Sequence, residues 1–203
     1  MYTPKHFAMD AASEQHALIE ANDFATLIAQ GDAGLMVTHV PMLLKRDEGR
    51  FGTLYFHLAK ANPHGQLLGR EMLAIFLGPH AYVSPSWYLE REINVPTWNY
   101  SAVHCSGIAE VHEGSTLSLL SEMTTLYEAG RMNGWSVDEL HTTARESLPQ
   151  GVTAIRLEIA RIEGKAKHSQ NKPRLERERV IKGLKDAGNA RLAAIMEQEL
   201  DRV

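Results

Sequence analysis

A dense cluster of polar side chains occupies residues 164–173, where the chain reads GKAKHSQNKP. It combines lysine cations, a serine hydroxyl and two side-chain amides, and it lies between an alternating strand pattern and a charged helical pattern. Such a set at the end of a strand can hold a phosphate or the edge of a heteroaromatic ring. The same composition also suits a solvated basic turn. The segment alone leaves both interpretations open.

Three further polar clusters are predicted at or just beyond strand ends, at 57–62, 84–88 and 97–100. Together the four clusters supply cations, hydroxyls, amides and two indoles. An anionic aromatic ligand would use this mixture, because cations and hydroxyls hold a phosphate, amides contact a ring edge and an aromatic side chain stacks on the ring. The alternative is that Trp87 and Trp98 are core or interface aromatics and that the polar groups cap strand ends.

Metal-binding and nucleophilic sites have little support in the sequence. None of the ten histidines forms a His-x3-His pair, and Cys105 is the single cysteine, so no dedicated metal site is predicted. Cys105 falls on the apolar face of its predicted strand, where a thiol is usually inert. The chain has no glycine-rich dinucleotide motif, phosphate loop or basic recognition helix. No acid, base or nucleophile stands out as catalytic.

Composition and charge restrict the class of protein. The chain has 203 residues and a net charge of -4, which gives no general electrostatic reason to expect affinity for nucleic acid. A single cysteine cannot form an intramolecular disulfide, which fits a reducing compartment. The first residues show no apolar signal core, and no apolar run approaches the about 18 residues of a membrane helix. We therefore expect a soluble cytoplasmic protein.

The hydrophobic periodicity predicts a mixed α and β chain. Strand patterns cover 35–44, 52–59, 71–77, 97–111 and 152–163, with a short piece at 81–83 after a turn at Gly78-Pro79. Helical patterns cover 11–21, 22–31, the stretch that follows Ser115, 136–147 and the tail 174–203, which Gly188-Asn189 can divide. Short connections favour antiparallel pairing of five or six strands. The predicted fold is α+β, a small β-barrel with packed helices, because the regular strand–helix alternation of a parallel sheet is missing.

Features of two predicted strands, 97–111 and 152–163, bear on the site. Thr97, Asn99 and Ser101 share one face of the strand 97–111, and that face becomes apolar further along, as expected if the first half lines a site. Gly107 in the same strand predicts a bulge or a close approach of backbone. In the strand 152–163 the alternation slips, which predicts a bulge near Ala160-Arg161.

Several longer motifs resemble a known family. They are MYTP with Phe7, VPMLL at 40–44, HLAKANP at 57–63, GPHAYVSPSWY at 78–88, VPTWNY at 95–100 and the cluster at 164–173. Their order across the chain is that of the PaiB-type FMN-binding negative transcriptional regulators, and the chain is identified as a member of that family. The resemblance implies an FMN-binding split β-barrel of the pyridoxamine-phosphate-oxidase-like type. It also implies a homodimer with FMN near the subunit interface and a regulatory role in bacteria.

The resemblance and the polar clusters point to the same candidate FMN-binding residues. Cations for the phosphate are Lys60 and Lys167. The other candidates supply hydroxyls, amides, a stacking indole or cavity walls: Thr38, His57, Asn62, Ser84, Ser86, Trp87, Thr97, Trp98, Asn99, Ser169, Gln170 and Asn171. We expect one split-barrel domain over 1–173, with a helical insertion at about 114–148, and a helical tail over 174–203 that belongs to the same unit.

Other functions stay open at this point. An FMN-dependent oxidoreductase acting on a small molecule is the main alternative, because a fold alone does not exclude one. A third class is an interaction module whose flavin site has decayed. DNA or a transcription partner is a further candidate partner, and with a net charge of -4 we expect DNA binding to need the dimer or that partner.

Overall fold

The computed structural model describes residues 1–200 of the 203-residue chain. Within them lie nine strands: β1 (Ala8–Met9), β2 (Phe24–Gly31), β3 (Gly34–Pro41), β4 (Leu43–Lys45), β5 (Thr53–Ala59), β6 (Glu71–Val83), β7 (Thr97–Val111), β8 (Val152–Glu158) and β9 (Arg161–Lys167). The α-helices of the same residues are α1 (Ala12–Ala21), α2 (Thr116–Glu128), α3 (Thr142–Ser147), α4 (Arg174–Asp186) and α5 (Ala190–Leu200).

The strands belong to a single mostly antiparallel sheet. Its order is β3-β2-β6-β7-β8-β5-β4, and β9 pairs with β1 and β7. Each pairing with a defined register is antiparallel, as between β2 and β3 and between β5 and β8. The predicted α+β class is therefore confirmed. The expected count of five or six strands was wrong, since residues 1–200 contain nine.

The chain divides into two compact units. The first unit consists of Met1–Asn22, Leu77–Val103 and the chain from Glu163 onward, and the second consists of Asp23–Phe76 and His104–Ile162. Strands β6 and β7 each have one part in either unit. The candidate residues Thr38, His57, Lys60 and Asn62 lie in the second unit, and the other candidates lie in the first.

Helices α4 and α5 build the core of the first unit. Their buried apolar residues pack with the end of β6 and with Tyr88, forming a cluster of Ala81, Val83, Tyr88, Val180, Ile181, Leu184, Leu192, Ala193, Met196 and Leu200. Trp87 packs against this cluster. A Cβ on Gly183 would lie 2.3 Å from the Trp87 ring, so the indole lies directly on the glycine of α4. The predicted break of the tail is present, because Gly188 lies between α4 and α5 with a φ of +79°.

The hairpin β2–β3 in the second unit has one buried and one exposed face. Ala25, Leu27 and Ala29 of β2 are buried at alternate positions. The helical spacing of Phe24, Leu27 and Ile28 predicted a helix over 22–31. That prediction was wrong, because this segment is β2, paired with β3 on one side and with β6 on the other. Hydrogen bonding to two neighbouring strands outweighs the helical spacing, and the strand period is instead carried by Ala25, Leu27 and Ala29.

Other boundaries also differ from the predictions. Gly78-Pro79 does not turn the chain, because β6 continues through it to Val83. The single strand predicted over 152–163 is two strands, β8 and β9, which separate at Ile159-Ala160 beside the predicted bulge. Lys165 and Lys167 are therefore members of β9 and do not follow a strand end. The prediction for 97–111 was correct, since β7 spans Thr97–Val111.

Candidate functional site

A polar cavity in the first unit gathers five of the predicted FMN-binding residues, namely Thr97, Asn99, Lys167, Ser169 and Asn171. This cavity, here called the Lys167 cavity, has a volume of about 250 Å³. The start of β7 and the end of β9 position these five side chains, because the two strands are paired. The remaining walls are Phe7, Tyr88, Ile93, Asn94, Val95 and Lys172.

Hydrogen bonds fix the polar groups of the Lys167 cavity. Lys167 Nζ donates to Thr97 Oγ1 and, at 2.9 Å, to the carbonyl oxygen of Trp98. Asn99 Nδ2 donates to Ser169 Oγ at 2.9 Å, and both residues are buried. Ser169 has a φ of 62°, a left-handed conformation that is uncommon outside glycine. Such a conformation persists where its surroundings hold it, as the buried bond to Asn99 does here.

The electrostatics of the Lys167 cavity favour an anion. Burial, with a smaller contribution from the nearby Lys165 cation, lowers the pKa of Lys167. Lys172 lies on the same wall, donates to Asn94 Oδ1 at 2.6 Å and sits 5.3 Å from the centre of the Tyr88 ring. Among the described residues that line the cavity there is no carboxylate. Two cations without an acidic partner would gain from a negative ligand.

A second polar group lies in the second unit around Thr38. His64 Nδ1 and Thr38 Oγ1 are 2.8 Å apart, and Asn62 Nδ2 donates to Thr38 Oγ1 at 3.4 Å. Asn62 Oδ1 accepts from the backbone N–H of His64 at 3.0 Å, which starts the short turn Pro63–Leu67. His64 was missed in the sequence, although it lies one residue beyond the matched motif 57–63. Pro63 lies between Asn62 and His64, and an asparagine followed by a proline is typical of the start of a capped turn.

Two histidines of the second unit have unpartnered ring nitrogens. His64 is fully buried, and its Nε2 has no hydrogen-bond partner within residues 1–200. The Nδ1 atom of His57 on β5 also has no hydrogen-bond partner within those residues. Burial lowers the pKa of both side chains from the ordinary value of 6.5. Buried polar atoms usually have partners, so these two nitrogens are candidates for contact with a ligand or water.

These lowered pKa values predict a loss of stability in mild acid. Because both pKa values are lower in the folded chain, the unfolded chain binds more protons than the folded chain between pH 6.5 and those lowered values. The free energy of unfolding should be highest above pH 6.5 and should fall as the pH drops from there toward the lowered values. Urea unfolding of the wild type and of His64→Asn across this range measures the slope. We expect a flatter dependence in His64→Asn.

The exposed His141 supplies the control for this measurement. His141→Asn should keep the acid dependence of the wild type. Equal slopes in the wild type and in His64→Asn would contradict the role assigned to the buried imidazole.

The remaining candidate residues lie outside the Lys167 cavity. Ser84 and Ser86 are bonded to each other at 2.7 Å, and Ser84 caps the short turn Pro85–Trp87. Trp98 is 53% exposed and packs near the rings of His80 and Tyr82. Gln170 lines a different cavity of the first unit. Lys60 is exposed, with its backbone N–H bonded to the carbonyl oxygen of Gly151.

Cys105 shows no sign of reactivity. It is buried, and burial raises the pKa of its thiol to about 12. A thiol that stays protonated at neutral pH is a poor nucleophile and a poor metal ligand. Across residues 1–200, no group of three or more His, Cys, Asp or Glu side chains is placed to hold a metal ion.

Comparison with known proteins places the chain in a family. Residues 1–161 match the family described as "Putative FMN-binding domain". The chain belongs to this family. It is 34% identical over 209 residues to the protease synthase and sporulation protein PAI 2 of Bacillus subtilis, covering 100% of this chain and 99% of that protein. The recognition of a PaiB-type member from its motifs is thereby confirmed.

Relatives of the family also occur in fungi. An uncharacterized protein of Saccharomyces cerevisiae is 28% identical over 163 residues, which cover 68% of this chain and 96% of that protein. The family is therefore not restricted to bacteria, so membership does not by itself identify the kind of organism.

Solved structures support the predicted split-barrel fold. The flavocytochrome Anf3 from Azotobacter vinelandii superposes with a TM-score of 0.61 at 15% identity, over 81% of this chain and 72% of that chain. The FAD and heme binding protein from Mycobacterium smegmatis gives 0.60 at 16% identity, over 83% and 77%. At such identities the likeness concerns the fold, and it confirms that expectation. Among the described residues, no helix combines the length and apolar character needed to cross a membrane.

Proposed function

We propose that this chain is an FMN-binding, homodimeric regulator of the PaiB type, and that the Lys167 cavity holds the phosphate end of the cofactor. The observation that carries the proposal is that two lysines, Lys167 and Lys172, line one cavity. Among the described residues that line it, none has a carboxylate. Membership in a family named for FMN binding supports the choice of ligand. When bound, FMN supplies reversible redox chemistry, which suits a regulator that responds to redox or metabolic state.

The donor set of the Lys167 cavity fits a phosphate. Each lysine ammonium has three N–H groups, and the two acceptors of Lys167 leave a third for a phosphate oxygen. Ser169 supplies a hydroxyl, and Asn99 and Asn171 supply amides for the ribityl hydroxyls. A volume of about 250 Å³ is smaller than most cofactor sites. We therefore assign this cavity to the phosphate and the adjoining chain, not to the whole flavin.

The four candidate residues of the second unit, Thr38, His57, Lys60 and Asn62, are proposed as flavin-binding residues on observations within that unit alone. The support is the unpartnered Nδ1 of His57 and the network that joins Thr38 and Asn62 to His64. Amide and imidazole groups of this kind suit the donors and acceptors along the edge of a flavin ring. Lys60, which is exposed, is available for a charged group.

The dimer is proposed to form through the exposed face of the β2–β3 hairpin. Antiparallel register places Phe24, Ile28, Leu35 and Val37 on that face, opposite the buried side chains of the hairpin. Leu35 is 72% exposed and Phe24 is 66% exposed. Adjacent exposed apolar side chains on one sheet face are typical of an interaction surface. A surface that pairs with its own copy gives a two-fold dimer.

Placing a charge on this face should dissociate the dimer. We expect the wild type to show twice the chain mass of 22.6 kDa by light scattering after size exclusion, and Val37→Asp to show the single mass at the same concentration. A buried unpaired carboxylate would oppose association. The matched control is Leu175→Asp on α4, an exposed leucine of the first unit, which should leave the dimer intact. A monomeric wild type would contradict the dimer, and a dimeric Val37→Asp would contradict this interface.

The regulatory role rests on similarity to a protein named for sporulation and protease synthesis. We expect the dimer, or the dimer with a transcription partner, to bind a promoter fragment with a steep salt dependence. A gel-shift assay of the FMN-loaded and FMN-free protein tests this on the promoter region of its own gene. Binding by one form alone supports a flavin-responsive regulator, and no shift with either form in the presence of cell extract would contradict regulation at that promoter. The proposed location is the cytoplasm.

An FMN-dependent oxidoreductase is the second candidate. It is favoured by the fold that the chain shares with a protein named as a flavocytochrome. The reconstituted protein would then oxidise NADH or NADPH with a small-molecule acceptor at a rate well above that of free FMN. A rate equal to that of free FMN would favour the regulator.

A further inference from the structure

A larger cavity of the first unit contains a chain of hydrogen-bonded side chains that the proposed function does not use. Its volume is about 700 Å³, and we call it the Ser101 cavity. Its apolar walls include Leu18 of α1 and Ile195 of α5. Its polar lining includes Ser101, His168 and Glu199, which come from β7, the residue after β9, and α5.

These three polar residues are joined in order. Ser101 Oγ lies 2.7 Å from His168 Nε2, and His168 Nδ1 lies 2.7 Å from Glu199 Oε1. Ser101 is 2% exposed and His168 is 1% exposed, so both residues are buried although they line this cavity. A hydroxyl bonded to an imidazole, which is bonded in turn to a carboxylate, is the arrangement that activates a serine for nucleophilic attack.

The Glu199 carboxylate determines which imidazole nitrogen can accept the serine proton. A carboxylate only accepts hydrogen bonds, so the proton between His168 and Glu199 resides on Nδ1. In the neutral imidazole, Nε2 then has a lone pair facing the Ser101 hydroxyl. The serine proton can therefore pass to His168 while Glu199 stabilises the charge that forms on the ring.

The backbone around His168 fixes the position of this base. The His168 N–H donates to Gln170 Oε1 at 2.7 Å, and Gln170 Nε2 donates to the carbonyl oxygen of Ala166 at 2.6 Å. On the neighbouring strand, Gly78 leaves room for the serine, since a Cβ there would lie 3.2 Å from the Cβ of Ser101. Hydrogen bonds thus fix the backbone of His168, and Gly78 leaves the space in which Ser101 lies beside it, an arrangement that favours a reactive pair.

A candidate for stabilising a developing oxyanion lines the same cavity. Arg177 is 7% exposed, and its Nε has no hydrogen-bond partner within residues 1–200. Its guanidinium approaches Glu199 Oε2 only to 3.9 Å, and that oxygen also has no partner among the described residues. A buried cationic N–H without an acceptor would gain a charged partner when a substrate oxygen becomes negative.

We infer that Ser101, His168 and Glu199 form a hydrolytic triad in the Ser101 cavity, and that its substrates are carboxylic esters with an apolar acyl group. Ser101 is the nucleophile, His168 is the general base and acid, and Glu199 is a positioning residue. Arg177 is the donor to the carbonyl oxygen. The apolar walls select the acyl group, because they offer burial without hydrogen-bond partners.

The reaction proceeds in two steps that use water alone as co-reactant. Ser101 Oγ bonds to the ester carbonyl carbon while its proton passes to His168 Nε2. The bond from that carbon to the alcohol oxygen then breaks, and the alcohol leaves with the proton from Nε2. In the second step water loses a proton to Nε2 and attacks the acyl-serine carbon. The carboxylic acid leaves, and the proton returns to Ser101 Oγ.

Covalent labelling tests the nucleophile in the wild-type protein. A fluorophosphonate probe should modify the folded full-length chain once, and peptide mass analysis should locate the adduct at Ser101. Labelling should be lost in Ser101→Ala and strongly reduced in His168→Gln. The matched control is Ser106→Ala, which removes another buried serine of β7 that accepts a hydrogen bond from Arg161. That variant should label as the wild type does.

Turnover of p-nitrophenyl butyrate provides the second readout. We expect a loss of at least about 100-fold in kcat for Ser101→Ala and His168→Gln. Glu199→Gln should lower kcat with little change in KM, and Glu199→Asp should restore part of it, as a positioning role requires. Folding of each variant is checked by circular dichroism. An unmodified Ser101 in the folded wild type, an adduct at another serine, or equal turnover in Ser101→Ala would overturn the inference.

Discussion

Lys167→Ala is expected to weaken FMN binding by about 10- to 100-fold, which corresponds to the loss of one charge-assisted hydrogen bond. The physical reason is the position of the ammonium. It lies in a partly buried cavity where burial lowers its pKa, so a phosphate would gain more from it than from a solvated surface lysine. Titration of the apoprotein with FMN, followed by quenching of flavin fluorescence, measures the dissociation constant directly.

Two further variants separate this site from a general effect of charge. Lys172→Ala removes the other cation of the Lys167 cavity and should also weaken binding. Lys182→Ala removes an exposed lysine of α4 that is paired with Asp186 in an i,i+4 salt bridge, and it should bind FMN as the wild type does. If all three variants bound equally, the phosphate would have to be located elsewhere.

Gly107→Ala is expected to destabilise the folded protein by about 3 kcal/mol. A Cβ on Gly107 would lie 2.1 Å from the backbone oxygen of Glu158 and 2.9 Å from the Leu157 side chain. The backbone oxygen belongs to β8, which pairs with β7 and β5 and cannot move without disturbing both pairings. Urea unfolding at neutral pH gives the change in the free energy of unfolding.

Gly151→Ala is the matched control for this substitution. A Cβ at Gly151 would meet nothing within 4 Å, and the position does not require a positive φ. We expect its free energy of unfolding to stay within about 0.5 kcal/mol of the wild type. A Gly107→Ala protein as stable as Gly151→Ala would show that β8 can shift at low cost.

The sequence predicted the long elements well and the short ones poorly. The strand predicted over 97–111 was correct because its alternation is long. Gly107 was predicted as a bulge or a close-approach site, and the short distance from a Cβ built there to the backbone oxygen of Glu158 supports the close approach. The segment 22–31 was predicted as a helix because Phe24, Leu27 and Ile28 fit the helical period. In the strand Leu27 lies on the face opposite Phe24 and Ile28, and the pairing with β3 and β6 determines that arrangement. The two-residue strand β1 has no periodicity to detect, and its pairing with β9 is a tertiary contact.

The candidate site shows a similar limit. Shared parity on β7 predicted that Thr97, Asn99 and Ser101 lie together, and the structure adds which partners they meet on β9 and beyond it. Thr97 and Asn99 face Lys167 and Ser169, whereas Ser101 meets His168. Glu199 lies 31 positions after His168 on α5, which also carries Glu197, so no spacing rule singles it out. Such contacts depend on the packing of α5, which the sequence pattern does not specify.

The Lys167 cavity and the Ser101 cavity suggest different chemistries on adjacent residues. Lys167 and Ser169 line the smaller one, and His168 lines the larger one. The proposed FMN site and the proposed triad can therefore be tested independently. Lys167→Ala should weaken FMN binding and keep fluorophosphonate labelling. Ser101→Ala should lose the labelling and keep FMN binding.

The proposal that this protein binds FMN is tested most directly by the identity and amount of cofactor on the purified wild-type protein. The protein is purified without added flavin, then incubated with FMN and desalted. Released cofactor is measured by absorbance and mass. We expect FMN at close to one molecule per chain after incubation, with a visible flavin spectrum that is altered from that of free FMN. A folded protein that retains no FMN after incubation would contradict it.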